Sequence, residues 1–561
     1  MAAESPRLRS LRLAAIGVGY VAVCRVMLAP IFNFAHPATA NFEGDARLII
    51  WTLAWDNHTL VDGVRALFDA NIFYPARNAL AYSEHLFGIS LFTLPVYAVT
   101  RNPVLAYNVV WLLSYGLAAA TAHYVAWRHT RDHLAAIVAG LAFAFCFFRM
   151  HHGHGHLHMI WSFWIPLSLV AMERWVARPT WRRLFVFVAI AVLQALASWY
   201  QAVMVFVADA LLLGWLLFVE RQGWQDRARI AVQALAGAII ALAIVWPFAR
   251  HYYVLSSGGP VEAAGGRADL AGYLVPPENT FLGQWLLARG IKGPRWIWGE
   301  LTLYLGWTTL ALAAIGAIGS VRRRDAFAMR LRFFAALGAL AAALAMGPWP
   351  SEVASNAWSV SPFGLLARVP GISLFRVPAR FAELLTLALA VLAAGGCAMM
   401  HARFGRAGRL ITIAAIPLLL AESYVVRFPG GAPQPFPPPA VYRLIATLPP
   451  GAVVSLPDYA GGPQWFAEAD YQYFSTAHWH PIANGYSRAE PPGFRALMNR
   501  LKTFPDAASA QTMRDAGIVY VVLHARQNPA LAGPARAGSD FRLIARFEDD
   551  YLFEVTRRPG G

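Results

Sequence analysis

Residues 182–229 read RRLFVFVAIAVLQALASWYQAVMVFVADALLLGWLLFVERQGWQDRAR, and this stretch shows the pattern that decides the fold. Two apolar runs, Leu184–Trp199 and Ala202–Val219, approach the length of about 20 residues that a helix needs to cross a bilayer. Arginines flank the pair on both sides, at Arg182, Arg183, Arg221, Arg227 and Arg229. Because Lys and Arg accumulate in cytoplasmic loops, the stretch predicts a helical hairpin that enters and leaves on the cytoplasmic side.

The same alternation of apolar runs and arginine clusters extends over most of the chain. Charged residues make up only 14% of the 561 residues, against about 25% in soluble domains, so a wholly soluble protein is excluded. The net charge of +16 is explained by arginines in the inner loops, which makes a nucleic-acid partner unnecessary. The predicted spans are Leu11–Ile31, Val104–Trp127, Leu134–Phe148, Met159–Val176, Leu184–Trp199, Ala202–Val219, Ile230–Trp246, Leu301–Ser320, Phe333–Met346, Phe381–Met400 and Leu410–Val426. We therefore expect an α-helical polytopic membrane protein of about 11 transmembrane helices with a cytoplasmic N-terminus.

Two segments near the N-terminus admit a second interpretation. Leu11–Ile31 resembles a signal peptide, with Ala38-Thr39-Ala40 as a cleavage site, but its length and the later spans favour an uncleaved anchor. Leu86–Thr100 is apolar but short and contains Pro95, and the basic turn after Trp127 must be cytoplasmic. We therefore expect Leu86–Thr100 to be re-entrant or interfacial.

The end of the chain has a different composition. Residues 428–439 read FPGGAPQPFPPP, which is typical of a stiff, non-helical linker. Strand-like runs at Gly451–Leu456, Ile518–His524 and Tyr551–Val555, with a helix at Pro505–Ala516, predict a small α/β soluble domain. The expected division is thus a membrane domain at 1–427, a linker at 428–439 and an extracytoplasmic domain at 440–561.

A pair of carboxylates follows the first span directly, as Glu43-Gly44-Asp45. Such a pair can hold a divalent cation or act as a base beside one. The alternative is structural, because Asp45 is also well placed to cap a helix that begins at Ala46.

Two basic clusters fall on the same predicted outer face. Five histidines stand within eight residues, at His151, His152, His154, His156 and His158. Neutral imidazoles can bind a metal and cationic ones can hold phosphate, while the alternative is a solvated loop at the lipid headgroups. Arg376 and Arg380 precede an inward span, where arginines grip a lipid phosphate or simply extend towards the headgroups.

A single carboxylate lies within a span, at Asp209. Because a charge there is costly, Asp209 should face a cavity or a partner, and Arg25 in the first span is the candidate partner. A transporter with an ion relay at Asp209 is the alternative function, although no inverted repeat supports it.

The uncleaved first span followed by the acidic Glu43-Gly44-Asp45 resembles the C-type glycosyltransferase superfamily. The rest of the first loop shares this resemblance, through Phe73-Tyr74-Pro75 and Tyr82-Ser83-Glu84-His85. The resemblance covers mainly residues 1–250. It implies a multi-spanning enzyme that uses polyprenyl-phosphate sugars at an active site on the non-cytoplasmic face.

The resemblance also implies the roles of particular residues. Asp45 would be the catalytic base with Glu43 beside it, and Glu84 and His85 would bind substrate. His154, His156, His158, Arg376 and Arg380 would then neutralise the donor phosphate, with a divalent cation as a candidate cofactor. Where the family often has a second acid, in the second outer loop, this chain has the histidines.

The predicted function is transfer of a sugar from a polyprenyl-phosphate donor to a glycan or lipid acceptor, at the outer face of a bacterial inner membrane. A catalytically silent protein that binds a lipid glycan is a further alternative. The enzyme interpretation predicts that Asp45 and the histidines converge on one outer cavity.

Overall fold

A computed structural model describes residues 6–39, 44–63, 66–220, 224–253, 266–293, 299–348, 360–369, 372, 375, 377–426, 435–459, 462, 464–487 and 489–556. The α-helices are Pro6–Met27, Asp45–Asp62, Phe87–Thr100, Pro103–Thr130, His133–Ala144, Phe147–His152, Leu157–Ile160, Trp164–Ala177, Trp181–Ala197, Trp199–Gly214, Trp224–Tyr253, Phe281–Leu287, Trp307–Val321, Ala326–Ala345, Pro362–Leu366, Ala382–Phe404, Arg406–Ser423, Ala440–Ile445, Glu468–Phe474, Phe494–Leu501, Ala507–Ala516 and Ala532–Ala537. The strands are β1 (Ala452–Leu456), β2 (Ile518–His524), β3 (Phe541–Phe547) and β4 (Asp550–Val555).

Contacts divide the chain into two compact units. Unit 1 comprises Met1–Ala35 and Val109–Ala432, and unit 2 comprises His36–Asn108 and Pro433–Gly561. The segment His36–Asn108 therefore packs with the C-terminal domain, although the sequence-based division assigned it to the membrane domain at 1–427. Residues 427–434, which include most of the proline-rich stretch, lie outside the described residues.

Each predicted span coincides with a helix, which confirms the polytopic α-helical class. Among the described residues, six helices are long and apolar enough to cross a membrane, in segments at Ser10–Met27, Pro103–Thr130, Trp199–Val219, Asp226–Tyr252, Ala326–Ala345 and Pro378–Phe404. Others differ from the prediction: the segment from Met159 is interrupted between the Leu157–Ile160 and Trp164–Ala177 helices, and the segment from Leu301 becomes α-helical only at Trp307. The count of about 11 crossings stays a prediction.

Close backbone contact organises the centre of unit 1. The Ala382–Phe404 helix is buried along most of its length and packs against Trp307–Val321. A Cβ added at Gly316 would lie 2.1 Å from the Leu392 backbone oxygen, and one at Gly396 would lie 2.2 Å from that of Leu312. The two glycines therefore allow an approach that any side chain would prevent, as small residues do between membrane helices.

A four-stranded sheet forms the core of the C-terminal part of unit 2, in the order β1-β2-β4-β3. β1 pairs parallel to β2, with Val454 opposite Val521, whereas β4 is antiparallel to both β2 and β3. The apolar side chains of β1 and the centre of β2 are buried, which fits continuous runs of Val, Ile and Leu. These findings confirm the small α/β domain.

The segment His36–Asn108 is joined to this domain by backbone hydrogen bonds. Phe73 and Tyr74 donate their N–H groups to the carbonyls of Asn484 and Ile482, at 3.0 and 2.9 Å. The Ile482 N–H in turn donates to Asn71 O at 2.7 Å. Residues 71–74 and 482–484 thus form one strand-like hydrogen-bond ladder, although they are far apart in the chain. The Asp45–Asp62 helix belongs to the same unit as the sheet.

The topology can be tested with reporter fusions. Reporters placed after Arg183 and after Val426 are expected on opposite sides of the membrane, because arginine-rich loops stay cytoplasmic. Activity of an alkaline phosphatase reporter, which requires export, measures the location of each. The predicted topology is wrong if both reporters report the same compartment.

Candidate functional site

The carboxylate of Asp45 lies at the N-terminus of the Asp45–Asp62 helix. The cap position is occupied by Gly44, which makes no side-chain cap bond, so the interpretation of Asp45 as a helix cap is wrong. Instead, Tyr486 donates its hydroxyl to Asp45 Oδ1 at 2.5 Å. Gly44 has φ of 51°, and a Cβ there would lie 3.3 Å from Phe466 Cβ, so backbone conformation and space both favour glycine.

Tyr486 is itself held from two directions. Its backbone N–H donates to Gln472 Oε1 at 2.9 Å, and its ring stacks on Trp465 with centroids 4.8 Å apart and planes 17° apart. Burial raises the pKa of the Tyr486 hydroxyl, and the nearby Asp45 charge raises it further. The hydroxyl therefore stays protonated and donates to the Asp45 carboxylate.

Ionic and aromatic contacts fix the next turn of the helix. Arg47 pairs with Asp470, and its guanidinium lies 3.9 Å from the centroid of the Phe436 ring. The Arg47–Asp470 ion pair connects the first turn of the Asp45–Asp62 helix to the Glu468–Phe474 helix. Gln472, which accepts the Tyr486 N–H, lies in the same helix. The Glu468–Phe474 helix therefore positions both Tyr486 and the start of the helix that carries Asp45.

A buried acid lies beyond the end of β1. Glu468 Oε1 accepts the Tyr459 N–H at 2.8 Å, and Oε2 accepts from Asn484 Nδ2 at 3.0 Å. Burial raises the pKa of Glu468 to about 8, so the group is mainly protonated at neutral pH. Glu468 thus links the end of β1 to the segment that carries Tyr486.

In unit 1 the histidine tract is largely enclosed. His152 is buried, and its Nδ1 lies 3.1 Å from Nδ1 of His156. Burial lowers the pKa of His151 to about 4 and that of His152 well below its usual range, so both rings are neutral at pH 7. A solvated loop is therefore wrong for His152, while His151, His154, His156 and His158 are half-buried.

Arg380 and Glu300 lie beside the tract. Arg380 donates Nε and Nη2 to Glu300 Oε2 and Oε1 at 3.0 and 2.7 Å, and its guanidinium lies 4.3 Å from the centroid of Tyr200. Burial alone would raise the pKa of Glu300, but the Arg380 charge and hydrogen bonds hold it below its usual value. The charges of Glu300 and Arg380 act on His151 and His152 respectively, so the structure brings these groups together.

The other predicted residues belong to different units or lie outside the described residues. His85 is buried, and its Nδ1 accepts the Phe87 N–H at 3.0 Å, while Glu84 is half-buried. Glu43 and Arg376 lie outside the described residues. Asp45, Glu84 and His85 belong to unit 2, whereas the tract and Arg380 belong to unit 1, so the expected convergence on one cavity stays a prediction.

The described residues contain no group of three or more His, Cys, Asp or Glu side chains arranged to hold a metal ion. Because Glu43 lies outside this set, a cation at the Glu43-Gly44-Asp45 pair stays a prediction.

The helices of unit 1 enclose two polar groups whose partners the sequence did not reveal. Arg149 and Glu383 are fully buried and lie 3.5 Å apart, and Gln201 Nε2 donates to Glu383 Oε2 at 2.6 Å. Asp209 Oδ1 accepts from Ser168 Oγ at 3.1 Å. The expected partner Arg25 instead lies over the Phe34 ring, so the predicted Asp209–Arg25 pair is wrong.

No protein-family model matches the chain, and no curated protein matches its sequence. Solved structures do match. The apo oligosaccharyltransferase from Archaeoglobus fulgidus is 14% identical with a TM-score of 0.51, over 92% of this chain and 70% of that one. A variant of the arabinofuranosyltransferase AftD from Mycobacteria is 14% identical with a TM-score of 0.62, over all of this chain but only 42% of that one. The chain is therefore an integral membrane protein with the fold of the C-type glycosyltransferases.

Proposed function

We propose that the chain is a membrane glycosyltransferase that moves a sugar from a polyprenyl-phosphate donor to a glycan or lipid acceptor. The reaction would take place at the extracytoplasmic face of a bacterial inner membrane. The observation that carries the proposal is the Asp45 carboxylate, which accepts the Tyr486 hydroxyl instead of capping its helix. The Tyr486 hydroxyl fixes the position of this carboxylate at the start of its helix, and a carboxylate is a proton acceptor.

Asp45 acts in this proposal as the general base. It takes the proton of an acceptor hydroxyl as the oxygen attacks the anomeric carbon of the donor. The bond between that carbon and the phosphate oxygen breaks, and polyprenyl phosphate leaves with the negative charge. Arg380 and His156 would stabilise this charge, Arg380 through its guanidinium and His156 through an N–H donor.

The names of the similar proteins support transfer chemistry. One is an oligosaccharyltransferase and another is an arabinofuranosyltransferase, so both names describe transfer of a glycosyl group. The resemblance of the first loop supports a lipid-linked donor.

A transfer assay tests the function directly. The purified chain, reconstituted in vesicles, is given a panel of radiolabelled polyprenyl-phosphate sugars together with neutral oligosaccharide and glycolipid acceptors. We expect labelled acceptor and free polyprenyl phosphate to appear together with at least one donor. Binding of acceptor without any transfer would instead indicate the catalytically silent protein, and ion flux without transfer would indicate the transporter.

A further inference from the structure

Two aromatic side chains in unit 2 are unusually exposed for their size. Trp465 is 48% exposed and Phe466 is 41% exposed, and both belong to the short 3₁₀ helix Trp465–Ala467. Large aromatic rings are more often buried, because removing their apolar surface from water lowers the free energy of the folded state. Adjacent exposed rings are therefore a candidate ligand-binding surface.

The rings lie against the candidate base. Trp465 stacks on Tyr486, whose hydroxyl donates to Asp45 at 2.5 Å. Phe466 packs against Gly44, since a Cβ there would lie 3.3 Å from Phe466 Cβ. A molecule whose hydroxyl reaches Asp45 therefore has the Trp465 and Phe466 rings beside it.

We propose that Trp465 and Phe466 form an acceptor subsite, in which a pyranose ring of a neutral glycan stacks on Trp465 while its neighbouring hydroxyl meets Asp45. The proposal rests on the proposed function and narrows the acceptor to a glycan. A pyranose with equatorial hydroxyls presents a flat face of C–H groups, which packs on the negative face of an indole. Its hydroxyls point outward from the ring edge, where a carboxylate can accept them.

The surroundings favour a sugar over a lipid surface. The two rings are bordered by charged groups, because Asp45 and Arg47 begin the adjacent helix and Asp470 stands one turn after Phe466. A membrane-facing patch is instead continuously apolar, since an unsolvated charge in hydrocarbon is costly. One or two aromatic platforms beside polar groups match the mixed surface of a sugar ring.

Transfer kinetics test the subsite in the full-length protein. Trp465→Ala is expected to raise the acceptor KM by about 10-fold or more, as loss of a central aromatic contact does. The donor KM should change much less than the acceptor KM, because Tyr486 keeps its bond to Gln472 when Trp465 is removed. Trp465→Phe keeps a planar ring and should recover most of the affinity. Trp181→Ala is the matched control, because Trp181 is also 48% exposed and belongs to unit 1.

A binding measurement separates this proposal from the proposed function. Saturation-transfer NMR is recorded with the Asp45→Asn protein in nanodiscs and with maltotriose, cellotriose and mannotriose as probes. We expect contact with at least one trisaccharide, and its loss in Asp45→Asn carrying Trp465→Ala. Such binding without transfer by the parent would leave the subsite standing and end the glycosyltransferase proposal.

Three outcomes overturn the subsite. They are absence of binding for every trisaccharide, equal acceptor KM in the parent and Trp465→Ala, and quenching of Trp465 fluorescence by brominated lipid. The fluorescence of Trp465 is obtained as the difference between the spectra of the parent and Trp465→Phe. Its quenching by brominated lipid would show that the two rings lie at the membrane surface. Should Trp465→Ala not fold, Trp465→Leu removes the planar face with less loss of volume and carries the same expectation.

Discussion

Asp45→Asn is expected to reduce sugar transfer by about 10²–10⁴-fold while the protein still inserts and folds. Asn has nearly the shape of Asp and can still accept the Tyr486 hydroxyl through its amide oxygen. It cannot take a proton from an acceptor hydroxyl, so the loss should appear mainly in kcat. The measurement is initial transfer rate against acceptor concentration, with folding checked by size-exclusion chromatography.

Asp62 provides the matched control for Asp45. It lies at the other end of the same helix, where it pairs with Arg101 at 2.9 Å and with His58 at 2.7 Å. Because these contacts are partly exposed, Asp62→Asn should change transfer much less. Parental transfer by Asp45→Asn would end the catalytic assignment, and an equal loss in both variants would indicate a general effect of charge in unit 2.

Arg149→Met is expected to destabilise the protein by about 3–5 kcal/mol, because it leaves a buried carboxylate without its cation. Arg149 also donates to Ser162 Oγ at 2.6 Å, to Ser114 O at 3.0 Å and to Ala144 O at 3.3 Å, so four groups, with Glu383, lose a partner at once. Glu383 would keep the Gln201 amide, which donates to its Oε2 at 2.6 Å, but would lose its cation. A thermal unfolding curve in detergent, read by fluorescence-detected chromatography, measures the loss.

Two further variants serve as controls for this experiment. Arg149→Met with Glu383→Leu should recover part of the stability, because the uncompensated charge is removed along with its partner. Arg101→Met breaks an exposed ion pair that solvent screens, so it should change stability much less than Arg149→Met. Unchanged stability of Arg149→Met would show that the buried pair contributes nothing net.

The sequence predicted β2 but not β3, and the difference in solvent exposure between the two strands explains why. β2 was predicted with its bounds at Ile518 and His524, because it is buried along nearly its whole length and reads as an uninterrupted apolar run. β3 was not predicted. It lies at the edge of the sheet, and most of its side chains are at least partly exposed, so arginines interrupt the apolar pattern.

The sequence by itself determined the membrane class, the helical segments and the small α/β domain, because hydropathy and loop charge are properties of each segment alone. Only the tertiary structure decided which polar groups meet. Tyr486 and Asp45 are 441 residues apart, and Arg149 and Glu383 are 234 apart. Asp209 bonds Ser168 instead of Arg25, because partners are chosen by how helices pack, and no local pattern encodes that packing.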